Sequence, residues 1–173
     1  MSEFEFFLES EQATLEFGRK LAAATFSDKF AAGKLLAQPE NEGFTSLGAV
    51  IYLTGGLGAG KTTLTRGIMR GYGYNGAVKS PTYTIVEPYE FKNCNIYHFD
   101  LYRLDDLEEV AYLGVEDYFA PENICVFEWA ENGGKSIPGA DLMINLIDRG
   151  TGRLLLCRDL TIKGSEIVER LRK

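Results

Sequence analysis

Eight consecutive residues, Gly55-Gly56-Leu57-Gly58-Ala59-Gly60-Lys61-Thr62, match the G-x-x-x-x-G-K-[ST] phosphate loop in full. Glycines at 55, 58 and 60 can take positive φ, so successive backbone N–H groups turn inward as an anion nest, and a helix opening near Lys61 adds its positive end. The Lys61 ammonium is expected to reach the β and γ phosphates of a nucleotide, and the Thr62 hydroxyl to bind Mg²⁺. A chance Gly-rich turn is disfavoured because a strand precedes the loop and a helix follows it.

Magnesium calls for a second anchor, direct or through water, and two carboxylates end apolar runs where such an anchor would sit. One is Asp100, after Ile96-Tyr97-His98-Phe99; the other is Glu128, after Ile124-Cys125-Val126-Phe127. An acid ending an apolar strand is also an ordinary sheet-edge residue, and spacing does not rank the two. Ser80-Pro81-Thr82-Tyr83 follows the phosphate-loop helix where many P-loop proteins carry a γ-phosphate sensor, with a plain turn into a strand as the alternative. His98, the only histidine, reads as a structural strand residue, and Trp129 as core. No N-K-x-D guanine-reading motif occurs, so the expected base is adenine. The close pair Arg149 and Arg153 is the one arginine feature that could serve as a kinase-type lid.

The elements that must hold these residues follow from periodicity. Phe4, Phe6 and Leu8 alternate as a first strand, and Ser10 starts a helix running to about Ala24. From about Phe26 to Leu47 the pattern dissolves into a surface insertion, at about 27–47, within which Phe30 to Ala37 has the pattern of a helical turn or two. Ala49 to Thr54 is a strand, Lys61 to about Tyr72 a helix, and Tyr83 to Phe91 and Cys94 to Phe99 two further strands. Asp105 to Leu113 reads as a helix and Asn123 to Trp129 as another strand. Leu142 to Ile147 and Arg153 to Leu160 read as a hairpin closing the sheet, followed by a short C-terminal helix. This alternation predicts an α/β architecture, the three-layer P-loop NTPase fold with a mixed, mostly parallel central sheet flanked by helices.

Composition narrows the class further. The 173 residues carry 45% apolar and 12% aromatic side chains, which suits one domain spanning 1–173 with an ordinary core. No apolar run of membrane-spanning length occurs, and Glu3, Glu5, Glu9 and Glu11 stand where a signal peptide needs a basic start, so the expectation is a cytoplasmic protein without membrane association. Cys94, Cys125 and Cys157 are odd in number and lie in strand-like runs, which reads as reduced core thiols. A net charge of −7 argues against tight unassisted binding to nucleic acid, because Lys and Arg supply most non-specific affinity for phosphate.

Four motifs in order, Leu57-Gly58-Ala59-Gly60-Lys61-Thr62-Thr63, Lys79-Ser80-Pro81-Thr82-Tyr83-Thr84, Tyr97-His98-Phe99-Asp100-Leu101-Tyr102-Arg103 and Glu128-Trp129, resemble the TsaE (YjeE) family. These are P-loop ATPases needed to make threonylcarbamoyladenosine in tRNA beside the anticodon, and the resemblance covers nearly all of residues 49 to 131. It implies a bacterial protein that binds and hydrolyses ATP with Mg²⁺ and works with the partner subunits TsaB and TsaD, which hold the tRNA and perform the transfer. Carried over by position, it implies that Gly55, Leu57, Gly58, Ala59, Gly60, Lys61, Thr62, Thr63 and Arg153 bind nucleotide. Thr62 and Glu128 would then face the metal, Thr82 would lie in a switch segment, Asp100 would orient the attacking water beside Lys61, and Trp129 would sit close to the site. Glu128 is ranked above Asp100 at the metal on this resemblance alone.

Two departures from the family pattern stand out: Gly56 where an Asp is usual, and a long stretch from Ser27 to Ser46. The reading is therefore an ATPase whose cycle resets a tRNA-modifying complex. An ATP-dependent assembly module without essential hydrolysis, and a small-molecule kinase, are its alternatives.

Overall fold

A computed structural model describes residues 2–27, 45–92, 94–104 and 115–173. Ser10 caps helix α1 (Glu11–Ala24): its hydroxyl accepts from the Ala13 backbone N–H at 3.1 Å, satisfying a donor that the first helical turn leaves unpaired. Strand β1 (Glu3–Leu8) precedes this helix, strand β2 (Ala49–Thr54) leads into the phosphate loop, and helix α2 (Lys61–Gly71) leaves it. Strands β3 (Val86–Glu90), β4 (Asn95–Asp100), β5 (Ile124–Glu128), β6 (Leu142–Asp148) and β7 (Arg153–Asp159) follow, and helix α3 (Ile162–Leu171) ends the chain.

The strands form one sheet in the order β1-β7-β6-β2-β5-β4-β3. β2 pairs in parallel with β5 and β6, and β4 with β5; the β1–β7, β6–β7 and β3–β4 pairs are antiparallel. Five strands thus share one direction while β3 and β7 oppose them, the mixed sheet expected. β2, which feeds the phosphate loop, lies in the middle, so the loop emerges at the carboxyl ends of the central parallel strands. That is where an open α/β sheet places its ligand crevice.

One face of the sheet is covered by α1, α2 and α3, whose core includes Leu21, Leu64, Ile68 and Ile167 against Ile51, Leu53, Ile96 and Val126. α1 and α2 meet through Gly18 and Gly67, and a Cβ on Gly67 would lie only 2.4 Å from the Leu15 carbonyl oxygen. The opposite face is filled by stacked aromatics, Phe99 on Phe127 at 4.3 Å, under two short 3₁₀ helices at Val115–Phe119 and Ala130–Ser136.

Two boundaries differ from expectation. The strand expected from Tyr83 begins only at Val86, because the Pro81 carbonyl accepts from the N–H groups of Thr84 and Ile85 and closes residues 81–85 into a turn, with Ile85 at φ 68°. The hairpin β6–β7 does not form the edge of the sheet: β1 adds outside it, in register from Glu3 opposite Arg158 to Leu8 opposite Arg153. The expected helix at 105–113 and the expected helical turns and insertion between 28 and 44 lie outside the described residues. Among the described residues no helix is long and apolar enough to cross a membrane.

Candidate functional site

The phosphate loop takes the conformation its glycines allow. Gly55, Gly58 and Gly60 have φ of 131°, 77° and 104°, a region in which a Cβ is strained. At Gly60 the space is also taken, since a Cβ would lie 2.6 Å from Arg153 Nε. Arg153, at the start of β7, donates from Nε to the Ala59 carbonyl at 2.8 Å and so ties the far hairpin to the loop backbone. Of the two arginines at the hairpin turn, Arg153 lines the cleft beside the loop and Arg149 does not.

Lys61 opens α2 with its ammonium turned back into the loop, donating to the carbonyls of Gly55 at 2.8 Å and Gly56 at 2.9 Å. The ammonium also stands 4.3 Å from the centre of the Trp129 ring. Burial lowers the Lys61 pKa, while the nearby charges of Glu128, Asp100 and Glu131 work to raise it. A cation held on two backbone carbonyls at the mouth of an anion nest is poised to exchange those partners for phosphate oxygens.

The two carboxylates come side by side. β4 and β5 are parallel neighbours, with Asp100 directly opposite Glu128, and both side chains are buried at 3% exposure. Glu128 Oε1 accepts from the Thr62 hydroxyl at 2.9 Å and from His98 Nε2 at 2.8 Å. Asp100 Oδ2 accepts from the hydroxyls of Ser80 and Thr82, the latter at 2.7 Å, while Oδ1 accepts from the Tyr102 backbone N–H at 3.0 Å. Glu128 therefore meets the Thr62 hydroxyl of the motif, and Asp100 meets the hydroxyls of Ser80 and Thr82 at the 81–85 turn. Trp129 turns out of β5 at φ 59° and packs its ring against Tyr102 at 5.0 Å.

These groups border one cleft of about 370 Å³, lined by Leu57, Gly58, Gly60, Lys61, Thr62, Thr63, Ser80, Thr82, Asp100, Tyr102, Glu128, Trp129 and Arg153. Gly55 and Ala59 of the expected set are not in the lining; their carbonyls accept from Lys61 and Arg153. The lining adds Ser80 and Tyr102, which residue type alone does not single out. Ser80 belongs to the Ser80-Pro81-Thr82-Tyr83 segment singled out above, and its hydroxyl lies 2.7 Å from that of Thr82.

The donor set suits a magnesium nucleotide. Hydroxyl and carboxylate oxygens are the ligands hard Mg²⁺ prefers, and a site that keeps several waters and takes phosphate oxygens needs only one or two protein ligands. No group of three or more His, Cys, Asp or Glu side chains that could hold a metal occurs among the described residues. Open space around the positions a Cβ would take at Gly56 and Gly58 leaves room for phosphates against the backbone.

Comparison with known proteins gives the family and the fold. The TsaE family model, described as threonylcarbamoyl adenosine biosynthesis protein TsaE, matches residues 8–155. A tRNA threonylcarbamoyladenosine biosynthesis protein TsaE from Haemophilus influenzae is 50% identical over 114 residues, 66% of this chain and 72% of that protein. The protein of the same description from Synechocystis is 40% identical over 131 residues, 73% of this chain and 70% of its own length. The crystal structure of YdiB from Bacillus subtilis superposes with a TM-score of 0.72 at 25% identity, covering 99% of this chain and 95% of that one. With the family model spanning most of its length and the phosphate loop set at the centre of a matching sheet, the chain belongs to the TsaE family of threonylcarbamoyl adenosine biosynthesis proteins.

Proposed function

We propose that this protein is a Mg²⁺-dependent ATPase that serves threonylcarbamoyladenosine modification of tRNA together with TsaB and TsaD. The observation that carries the reading is the convergence of Lys61, Thr62, Asp100 and Glu128 on the cleft of the phosphate loop. Bound Mg²⁺ would supply Lewis-acid stabilisation of the charge that develops on the phosphates. Thr62 and Glu128 would hold it, with the Thr62 hydroxyl donating to Glu128 and keeping its lone pairs for the ion. Lys61 would leave the Gly55 and Gly56 carbonyls for the β and γ phosphates, and the loop amides together with Arg153 would complete the charge balance.

Asp100 is the water-orienting candidate. Its Oδ2 is held by Ser80 and Thr82, so movement of Thr82 toward nucleotide would free an acceptor for a water proton. That exchange would couple the 80–85 turn to the state of the nucleotide and let a docked partner sense it, which suits a slow ATPase stimulated by its partners. With a net charge of −7, the grip on tRNA falls to the other subunits.

ATP turnover by the protein alone and with its cognate TsaB and TsaD tests this reading. Stimulation by the pair, abolished by Lys61→Ala, is expected. ADP production that depends on a small-molecule acceptor and ignores the pair would instead identify a kinase. Gly56 favours one other reading, an ATP-dependent assembly module, because no carboxylate stands at that exposed loop position. Complex function that survives Glu128→Ala while turnover is lost would select it.

A further inference from the structure

The His98 side chain makes a single described hydrogen bond, and that bond is to the carboxylate that holds Thr62. The ring is fully buried, at 0% exposure; Nε2 lies 2.8 Å from Glu128 Oε1, and Nδ1 is buried with no hydrogen-bond partner. A carboxylate oxygen only accepts, so Nε2 carries the proton and donates it. A histidine serving the core would be expected to satisfy both nitrogens, because an unpaired buried polar atom costs stability. Here one nitrogen is orphaned and the other is spent on Glu128.

The placement is specific to the strand register. His98 sits two residues before Asp100 on β4, so the two share the sheet face that α2 covers, along with Ile96. Glu128 occupies the same face of β5 two residues beyond Val126, the residue opposite His98. The ring therefore reaches Glu128 diagonally across the pair, and Thr62 reaches the same oxygen from the first turn of α2.

We propose that His98 is a positioning residue for the metal side of the site: its Nε2–H holds Oε1 of Glu128 where it accepts the Thr62 proton. The Thr62 lone pairs and the second oxygen of Glu128 are then aimed at the cleft. The inference rests on the reading of Thr62 and Glu128 as the magnesium side of a nucleotide site. It differs from a packing role in what it predicts for an apolar replacement, because outer hydrogen-bond partners of metal ligands act on metal affinity.

The test uses the full chain with His98→Leu, which keeps bulk and removes the donor, and His98→Gln, whose side-chain amide can restore one near Nε2. Thermal melting, ATP affinity in EDTA, and the Mg²⁺ concentration needed to tighten ATP binding are measured for each. Expected for His98→Leu are a melting temperature equal to or above wild type, unchanged affinity in EDTA, and a Mg²⁺ requirement raised about tenfold or more. His98→Gln is expected to recover much of that loss. An unchanged Mg²⁺ requirement in His98→Leu, its failure to fold, or equal loss in both variants would overturn the proposal. If Mg²⁺ does not tighten ATP binding by the wild-type protein, the reading of the site itself fails, a result distinct from any change confined to the variants.

Discussion

At the scale of single residues, the phosphate loop divides its glycines into those whose hydrogen is required and one whose hydrogen is not. Gly60 stands at φ 104° with Arg153 against it, so Gly60→Ala meets backbone strain and a contact at once. The expected cost is about 1–3 kcal/mol, read as a lower melting temperature, together with loss of the ATP binding proposed above as the Arg153–Ala59 tie is displaced. Gly56 is the opposite case: its φ is outside the left-handed region and a Cβ would meet nothing within 4 Å. On the ATPase reading proposed above, Gly56→Asp should fold as well as wild type and raise ATP turnover about tenfold or more, the range of an outer-sphere contact to a metal site. Turnover measured at saturating ATP decides this, and no change would mean that a carboxylate at this position has no part in hydrolysis.

At the scale of elements, the site depends on α2 being delivered at one angle from β2, and α1 fixes that angle. The contact at Gly18 and Gly67 is backbone against backbone, where no side chain can rotate away. Gly67→Ala should therefore cost about 2–3 kcal/mol by overpacking, more than Ser10→Ala, which removes one helix cap worth about 1 kcal/mol. Denaturant midpoints of the two variants give the order; a smaller loss for Gly67→Ala would mean that α1 can shift at little cost. The element most altered from expectation is the 81–85 turn. Pro81 and a local hydrogen-bond pair stop β3 short, and the hydroxyls of Ser80 and Thr82 gain access to Asp100 as a result.

For the whole molecule, burial of the three cysteines makes a statement about pH. Removal from water pushes the Cys94 thiol up to about 11 and those of Cys125 and Cys157 up to about 12. An unfolded thiol ionises near 8.5, so these groups favour the folded state fully below about pH 8.5, and that contribution is lost as pH climbs toward the folded values. Melting temperature should fall between pH 9 and 11, and a thiol reagent at pH 8 should label none of the three until denaturant is added. Rapid labelling of the native protein would show that at least one thiol is open to solvent.

Much of this protein is local chemistry and was legible as such. Ala49–Thr54 and Glu11–Ala24 carry their own boundaries, the first as a β-branched apolar run and the second through a serine cap. The phosphate loop is contiguous because one turn must supply its amides, its lysine and its hydroxyl together. Sequence distance hides the remainder. That β1 would join β7 across some 150 residues, that β5 would lie between β2 and β4, and that Asp100 would stand opposite Glu128 are outcomes of long-range pairing, which a period-two pattern does not encode. Spacing left the two carboxylates equivalent; the parallel register of β4 and β5, with α2 above one of them, decided that Glu128 meets Thr62 and His98 while Asp100 meets Ser80 and Thr82.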